Sequence, residues 1–296
     1  MSKSILITGA SGRTGKSIVK SLSRFGADVT SFIRDSDKKN EMLSIGSSNV
    51  ALGDMLDKDS IRESLVNIDT VFHIGPPMCP DEVEITNNFI NISKSQGVKK
   101  FIYYSVMHPL RRNVRHHKLK LDCEEMLIES GLPYSIIQPI RYMQHVNINF
   151  LNQSNNPSVL SMPFDINKKF NVVDLEDLAV ASAKIALDDK WLYGTYELAG
   201  PDSLSQNDMV NIILDIIREK KISFPNGVIA RRMEIDQLRA KANETGISED
   251  KLNQMIIMNN HYNKYGFLGN SKVLEMIIER PPNTFKNYFS SLLEDL

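Results

Sequence analysis

A glycine-rich turn between a short strand and a helix constrains the fold of this chain more than any other feature. The turn, GASGRTG, occupies residues 9–15 and directly follows the apolar run Ser4–Thr8. Gly9 permits the tight turn, Gly12 lets the backbone approach a bound group, and Gly15 lets the following helix lie close to the strand. The amides and the dipole at the start of such a helix favour phosphate groups. The pattern predicts a turn that binds the pyrophosphate of a dinucleotide, and a glycine turn without a ligand is the alternative.

Short apolar, β-branched runs alternate with helical patterns along the first two-thirds of the chain. The further predicted strands are Asp28–Ile33, Asn49–Leu52, Ile68–Gly75, Lys99–Val106 and Tyr134–Ile140. The predicted helices of this region span 16–25, about 58–67, 81–96 and 116–130. Strands that alternate with helices form right-handed βαβ units. We therefore predict an α/β fold, namely a Rossmann-type doubly wound parallel sheet with helices on both faces.

The alternation weakens after about residue 150. The patterns there predict a loop at Asn152–Asn156, helices at Leu175–Asp188 and Ser205–Lys220, a strand at Gly194–Ala199 and a mainly helical segment at 225–296. We predict a dinucleotide-binding domain at residues 1–150, to which 170–200 returns. Residues 201–296 are predicted to form a smaller, mainly helical lobe on the substrate side of a cleft.

The charge balance and the cysteine content exclude several classes of protein. The 35 basic and 36 acidic residues give a net charge of −1, whereas nucleic-acid and polybasic membrane-surface proteins carry clustered positive charge. We expect no signal peptide in the opening residues, and no run approaches the roughly 20 apolar residues of a membrane helix. Cys79 and Cys123 lack paired spacing, and His108, His116 and His117 with Cys123 lack zinc-ligand spacing. We expect a cytoplasmic protein with reduced thiols and no metal, nucleic-acid or membrane partner.

The end of the second predicted strand favours NADP(H) over NAD(H). An acid at this position accepts the ribose hydroxyls of NAD, whereas a basic residue accommodates the 2′-phosphate of NADP. Here Arg34 follows the strand and can pair with that phosphate in a bidentate way, and Arg13 and Lys38 are placed to converge on it. Asp35 and Asp37 come next, so NAD remains the alternative, as does an ordinary solvated arginine.

Turns after the third and fourth predicted strands are further candidate cofactor contacts. Asp54 falls where the adenine edge would lie, and Met55 could cover the face of the ring. Gly75, Pro76 and Pro77 form a backbone turn beside the dinucleotide. These assignments rest on the rule that ligands of open α/β sheets bind outside the carboxyl ends of the strands. A plain turn is the alternative for each.

Several motifs occur in an order that resembles a known family. They are GASGRTG at 9–15, GD at 53–54, YYSV at 103–106, HHKLKLDCEEML at 116–127, SGLPYSIIQPIRYMQ at 130–144 and FNVVDLEDLA at 170–179. Together they resemble the NmrA-like family of atypical short-chain dehydrogenases/reductases and, more distantly, the isoflavone and pinoresinol-lariciresinol reductases. The resemblance implies a Rossmann-type NADP-binding domain. It also implies either NADPH-dependent reduction of quinones, dyes and unsaturated or carbonyl compounds, or redox-responsive regulation without turnover.

The helix that carries Tyr-x-x-x-Lys in ordinary short-chain dehydrogenases has a different pair here. None of the nine tyrosines has a lysine four residues later, but His116 and Lys120 form His-x-x-x-Lys. The family's lysine matches Lys120, eleven residues before Gly131, and the resemblance implies that Lys120 bonds the nicotinamide ribose and donates a proton. Lys118 is the less favoured choice. The alternative for Lys120 is a solvated helix lysine. The alternatives for His116 are that it caps the start of the helix or that its ring stacks near the cofactor without taking part in chemistry.

Three more residues complete the predicted site. Ser105 follows the fifth predicted strand, where the short-chain superfamily has a serine that polarises the substrate carbonyl. The alternative is a serine whose hydroxyl only bonds within its own turn. Pro139 and Tyr142 follow the sixth predicted strand, where nicotinamide and substrate contacts are expected, and Tyr142 could equally be a core residue. The predicted catalytic residues are Lys120, His116 and Ser105. The predicted cofactor-binding residues are Gly9, Ser11, Gly12, Arg13, Thr14, Gly15, Arg34, Lys38, Asp54, Met55, Gly75, Pro76, Pro77, Lys120, Pro139 and Tyr142.

The preferred function is that of an NAD(P)H-dependent oxidoreductase. Such an enzyme transfers a hydride from C4 of the nicotinamide to a small carbonyl, enone or quinone-like acceptor, and the protein orients the reactants and supplies a proton. The alternative is a regulator that binds NADP(H), senses its redox state without turnover and acts on a protein partner.

Overall fold

A seven-stranded parallel sheet organises the first part of the chain. The computed structural model describes residues 3–151, 157–224 and 227–294. The strands are β1 Ser4–Ile7, β2 Asp28–Ile33, β3 Asn49–Leu52, β4 Thr70–Ile74, β5 Lys100–Tyr104, β6 Tyr134–Pro139, β7 Ser158–Met162, β8 Phe170–Asn171, β9 Gly194–Leu198, β10 Ser203–Leu204 and β11 Val228–Arg232. The large sheet has the order β3-β2-β1-β4-β5-β6-β9, and every neighbouring pair is parallel. The prediction of a doubly wound sheet is confirmed.

Helices connect the strands and cover the sheet. They are α1 Arg13–Arg24, α2 Lys39–Ser44, α3 Lys58–Ser64, α4 Glu82–Ser95, α5 Arg115–Glu129, α6 Leu175–Leu187, α7 Gln206–Glu219, α8 Ile235–Glu244, α9 Glu249–Tyr265, α10 Lys272–Ile278 and α11 Phe285–Leu292. α1 packs against α6, and α4 packs against α3 and α5. The chain turns toward β2 after β1 but toward β5 after β4, so right-handed connections place α1 and α4 on opposite faces. Among the described residues, every helix is too short or too polar to cross a lipid bilayer.

The chain divides into two compact units. The first comprises Met1–Pro139, Leu175–Leu198 and Val273–Arg280, and the second comprises Ile140–Asp174, Ala199–Lys272 and Pro281–Leu296. The first unit contains the large sheet. In the second, β7 pairs with β11 in parallel and β8 pairs with β10 antiparallel. The predicted assignment of a dinucleotide-binding domain to 1–150 and a substrate-side lobe to 201–296 stays a prediction.

The core of the first unit follows from strands that are covered on both faces. Ile5, Leu6 and Ile7 of β1 have no solvent exposure, as expected for a central parallel strand that reads as a continuous apolar run. Phe32 of β2 meets Phe89 of α4 edge to face, with ring centroids 5.7 Å apart. Burial of each such side chain contributes about 1.5–3 kcal/mol to folding.

The second unit departs further from the sequence prediction. The capping pattern before α7 is confirmed, because the Ser205 hydroxyl accepts the Asp208 amide at 3.1 Å and the Asp208 carboxylate accepts the Ser205 amide at 2.9 Å. β11 lies within a segment predicted to be mainly helical, and β7 was not predicted. Each of these five-residue strands is stabilised by its distant partner, which a local pattern does not reveal. The predicted loop at Asn152–Asn156 lies outside the described residues.

The crossing of β1 and α1 leaves no room for a side chain. Gly9 has a positive φ of 62°, and the Gly12 amide donates to the Gly9 carbonyl at 3.1 Å. A Cβ atom on Gly15 would lie 2.2 Å from the Gly9 carbonyl oxygen and 2.6 Å from the Ala10 Cα atom. Both neighbours are backbone atoms, so the first turn of α1 can rest on the end of β1 only if residue 15 is glycine.

His73 is a buried histidine in β4, close to the same end of the sheet. Its Nδ1 atom lies 3.0 Å from the Thr8 hydroxyl and its Nε2 atom 3.3 Å from the Thr86 hydroxyl. Burial, reinforced by the positive charge of Lys120, lowers the pKa of His73 from 6.5 to about 3. The imidazole is therefore neutral at physiological pH and serves as a polar link between β1, β4 and α4.

The Gly15→Ala substitution is expected to lower the free energy of unfolding by about 1–3 kcal/mol or more, because backbone atoms must shift to admit the methyl group. Gly12→Ala is the matched control, since its Cβ would meet only the Gly9 carbonyl oxygen, at 3.3 Å. Urea unfolding of both variants provides the measurement. Equal stabilities of the two variants would contradict the role of this crossing.

His73 makes stability depend on pH. The folded chain keeps His73 neutral down to about pH 3, whereas the unfolded chain takes up a proton below pH 6.5. The stability that this group provides is complete above pH 6.5 and is lost as the pH falls toward 3. Between pH 7.5 and 5 the loss amounts to about 2 kcal/mol.

His73→Gln removes this pH-dependent contribution. The difference in unfolding free energy between wild type and variant should therefore narrow by about 2 kcal/mol as the pH falls from 7.5 to 5. His145→Gln changes an exposed histidine and serves as the control. Urea unfolding at several pH values gives the comparison, and a constant difference between wild type and His73→Gln would refute the prediction.

Candidate functional site

The carboxyl ends of neighbouring strands bring most of the predicted site residues to one edge of the large sheet. The residues that follow or end β1, β2, β3, β4, β5 and β6 in turn include Gly9, Arg34, Asp54, Gly75, Ser105 and Pro139. The strand order changes direction between β1 and β4, and ligands of open α/β sheets bind at such a switch point. Tyr142 belongs to the second unit.

The amino end of α1 has the chemistry of an anion site. Gly12 is the N-cap and has no side chain to cap the helix, and no acidic residue occupies the first turn. By contrast, Asp57, Ser205 and Ser248 cap α3, α7 and α9 with their side chains. The first amides of any α-helix lack intrahelical acceptors and carry the positive end of the dipole. Ser11 and Thr14 are half-buried here and Arg13 is exposed.

The end of β2 presents basic side chains, while its nearest acid serves the local turn. Arg34 is exposed directly after the strand. The Asp35 carboxylate accepts the Asp37 amide at 2.9 Å and caps the short 3₁₀ turn that ends at Lys38. Lys38 is exposed, and its Nζ atom lies 3.9 Å from the Glu41 carboxylate. Arg34 and Lys38 are therefore both exposed basic side chains near this strand end.

The turn after β3 is built by local hydrogen bonds. The Asp54 carboxylate accepts the Leu56 amide at 2.9 Å, and the Asp54 amide donates to the Ser60 hydroxyl at 3.2 Å. Asp54 is exposed, whereas Met55 is half-buried and packs against the hydrophobic core. Asp54 remains accessible to a ligand, and Met55 is partly committed to the protein interior.

Gly75, after β4, makes room for an acidic side chain. A Cβ atom on Gly75 would lie 2.8 Å from the Oε1 atom of Glu82. Glu82 is the first residue of α4 and has no solvent exposure. Pro76 is half-buried and Pro77 exposed in the turn between them. The predicted cofactor turn therefore also houses a buried carboxylate that the sequence analysis did not single out.

Lys120 is buried and paired with that carboxylate. Its Nζ atom lies 2.5 Å from Glu82 Oε1 and donates to the Tyr104 carbonyl at 2.9 Å. The Tyr103 hydroxyl also donates to Glu82 Oε1, at 3.1 Å, and the Lys120 ammonium lies 4.9 Å from the centre of the Tyr103 ring. Only 5% of Lys120 is exposed, which excludes a solvated helix lysine. Lys118, the less favoured choice, is exposed.

The groups around this pair are held in their neutral forms. Burial, with the Glu82 charge as the next cause, raises the pKa of Tyr103 well above its usual value. Burial also raises the pKa of the Cys123 thiol. Tyr103 therefore remains a hydrogen-bond donor to the carboxylate, and Cys123 remains a protonated thiol.

Ser105 directly follows β5 and lies beside a second buried acid, Glu124. Its amide donates to the Ile137 carbonyl at 2.8 Å. Both Glu124 oxygens accept from the Gln138 side chain, at 2.8 and 2.9 Å. Burial raises the pKa of Glu124, while the nearby Ser105 hydroxyl and the Gln138 amide oppose the shift. Ser105 is thus buried at the sheet edge, close to the Glu124 carboxylate.

The remaining predicted residues are His116, Pro139 and Tyr142. His116 is half-buried in the first turn of α5, one helical turn before Lys120. Pro139 is buried at the end of β6. In the second unit, Tyr142 is half-buried and stacks on His145, with ring centroids 5.5 Å apart.

Glu82 carries a signal that sequence reasoning can use. It precedes Ile85 and Phe89 at helical spacing, and all three are buried on one face of α4. An acid on a buried, largely apolar helical face needs a buried partner. Such a pattern, combined with an unassigned lysine on the next helix, would have pointed to Glu82 and Lys120 as a pair.

Two curated relatives match most of this chain. The Prestalk A differentiation protein A of Dictyostelium discoideum is 25% identical over 212 residues, which cover 71% of this chain and 68% of that protein. Quinone oxidoreductase 2 of Escherichia coli strain K12 is 22% identical over an alignment of 300 positions that covers 97% of this chain and 98% of that protein.

Solved structures share the fold. The E. coli NADPH-dependent quinone oxidoreductase complexed with NADPH has a TM-score of 0.80 at 20% identity and covers 98% of this chain and 99% of its own. NmrA, a negative transcriptional regulator, in complex with NAD, has a TM-score of 0.79 at 15% identity and covers 99% of this chain and 96% of its own. The model of the NmrA-like family matches residues 1–284. The chain belongs to the NmrA-like family.

Proposed function

We propose that this chain is an NADPH-dependent reductase of a small carbonyl, enone or quinone-like acceptor. The observation that carries the proposal is the buried ammonium of Lys120 at the same sheet edge as the glycine turn. Lysine is almost never fully buried without a partner, and a buried ion pair is often no more stabilising than apolar residues of similar volume. A functional reason for the pair is therefore favoured. The quinone oxidoreductase activity of the E. coli relative adds support.

The residues at the amino end of α1 fit the diphosphate of a dinucleotide. Gly12 caps the helix without a side chain, and a Cβ there would meet only the Gly9 carbonyl oxygen, so the approach to the first-turn amides is open. Helix starts of this kind bind phosphate through amides and dipole. The E. coli structure contains NADPH, which supports a nucleotide as the ligand here.

Arg34 supports the choice of NADPH over NADH. Its guanidinium is exposed at the end of β2, and the neighbouring Asp35 carboxylate caps its own turn. A guanidinium binds a phosphate through two parallel hydrogen bonds. An acid that bonds the ribose hydroxyls would have favoured NADH instead.

The chain's own residues would orient the reactants and hold the proton. Bound NADPH supplies the hydride. Lys120 donates to the nicotinamide ribose and holds a proton for the reduced acceptor, and His116 is a second candidate donor because imidazole titrates near neutral pH. Ser105 polarises the acceptor's carbonyl oxygen. A cytoplasmic location and a small-molecule substrate belong to the same proposal.

A regulator that binds NADP(H) without turnover is the second candidate. The absence of Tyr-x-x-x-Lys from the sequence favours it, because the phenol of that pair is the usual proton donor of short-chain dehydrogenases. The structural likeness to the regulator NmrA adds to this alternative. Such a regulator would require a protein partner in place of an acceptor.

Arg34→Ala should weaken NADPH binding by about 1.5–3 kcal/mol, because it removes a charge-assisted hydrogen bond to phosphate. NADH binding should change little. Arg24→Ala provides the control, since Arg24 is exposed at the opposite end of α1. Calorimetric titration of each variant with both nucleotides gives the result, and equal losses for NADPH and NADH would contradict the phosphate role.

Lys120→Met should lower kcat for NADPH oxidation by about tenfold or more, because it removes a positioned proton donor. NADPH should still bind. Lys118→Met changes an exposed lysine on the same helix and should retain activity. The assay follows NADPH oxidation with a panel of quinones, enones and aldehydes. Tight NADPH binding with no turnover on any acceptor would favour the regulator.

A further inference from the structure

Glu82 is a charged residue in a position that normally holds an apolar one. It shares the buried face of α4 with Ile85 and Phe89, and it has no solvent exposure. Its place in the first helical turn is favourable for a negative charge, because the dipole is positive there. The apolar surroundings still make a buried carboxylate costly unless it is paired. Its contacts therefore decide whether this carboxylate can be buried here.

The two carboxylate oxygens of Glu82 are used unequally. Oε1 receives both the Lys120 ammonium, at 2.5 Å, and the Tyr103 hydroxyl, at 3.1 Å. Oε2 is buried and has no hydrogen-bond partner within the ranges that the structure describes. A pair that served stability alone would be expected to satisfy both oxygens, since an unsatisfied buried acceptor costs free energy. The geometry instead directs one oxygen at the lysine.

The Lys120 ammonium is held between the ends of two neighbouring strands. Glu82 Oε1 lies so close to Gly75, after β4, that a Cβ there would be 2.8 Å away. The second acceptor of the ammonium is the Tyr104 carbonyl, at the end of β5. An ammonium has three N–H donors, and these two contacts account for two of them. The third is the donor that the proposed ribose contact requires.

Glu82 is the acid that meets Lys120 within the described part of the chain. The titratable groups around the ammonium come from four elements: His73 of β4, Tyr103 of β5, Glu82 of α4, and Cys123 and Glu124 of α5. The Glu124 oxygens accept from the Gln138 side chain instead.

We infer that Glu82 is a positioning residue, whose carboxylate fixes the Lys120 ammonium at the sheet edge so that one N–H faces the nicotinamide ribose. This inference rests on the proposed reductase function and adds a residue to its site. Glu82 acts through Lys120 and makes no contact with cofactor or substrate. Its removal should therefore matter only while Lys120 is present.

A double-mutant cycle tests this dependence. Glu82→Gln, Lys120→Met and the double variant are compared with wild type for kcat with a quinone acceptor and for the Kd of NADPH. Each single substitution should lower kcat by about tenfold or more, because small displacements of a positioned group are costly to the rate. In the Lys120→Met background, Glu82→Gln should change kcat by less than about twofold, since coupled residues are not additive.

A control separates positioning from general disturbance of the interior. Thr86 is buried one turn after Glu82 on the same helix and bonds to His73. Thr86→Val should keep kcat within about threefold of wild type, as expected for a buried site that does not act through Lys120. A loss as large as that of Glu82→Gln would overturn the inference.

The outcomes distinguish this inference from the proposed function. If the wild type reduces the acceptor and the two losses in kcat multiply in the double variant, Glu82 does not act through Lys120. That result overturns the positioning role and leaves the proposed reductase activity intact. A wild type without turnover overturns the reductase and the positioning role with it. Should Glu82→Gln alone fail to fold because it leaves a buried ammonium unpaired, the double variant is compared with Lys120→Met. Equal kcat values then support the role, and a further tenfold loss refutes it.

Discussion

The contact of α1 with the end of β1 is the constraint on which the site depends. A Cβ on Gly15 would lie 2.2 Å from the Gly9 carbonyl oxygen, so the two backbones meet with nothing between them. This contact fixes where α1 begins and aims its amino end at the carboxyl edge of the sheet. The parallel order of the strands then brings the ends of β2, β4 and β5 to the same edge. One backbone contact therefore determines which side chains can surround a ligand.

Along that edge, a buried ion pair lies beside a hydrogen-bonded polar link. Thr8, His73 and Thr86 form one hydrogen-bonded link, and Glu82 and Lys120 form an ion pair close to it. Buried pairs of this kind are weak evidence for stability, because desolvation offsets most of the attraction. Polar or charged groups inside an otherwise apolar core are expected at functional sites. The ion pair at the ends of β4 and β5 therefore supports a working site there.

The sequence predicted the large sheet well because its signals are local. The strand at Asp28–Ile33 has the predicted bounds, since an apolar run between turn residues needs no distant partner to be recognised. β7 and β11 were missed because each is stabilised by the other. In the site, Lys120 was selected by its motif, but its burial depends on Glu82, which lies on another helix. Spacing along one helix cannot reveal a contact between two.

In the proposed complex, a dinucleotide rests on the glycine turn with its nicotinamide end at Lys120. A crystal structure of the chain with NADP⁺ would show whether it does. We expect the diphosphate against the amino end of α1, the 2′-phosphate on the Arg34 guanidinium and the nicotinamide ribose within hydrogen-bond distance of the Lys120 Nζ atom. A nucleotide bound elsewhere, or one whose ribose lies away from Lys120, would contradict the account.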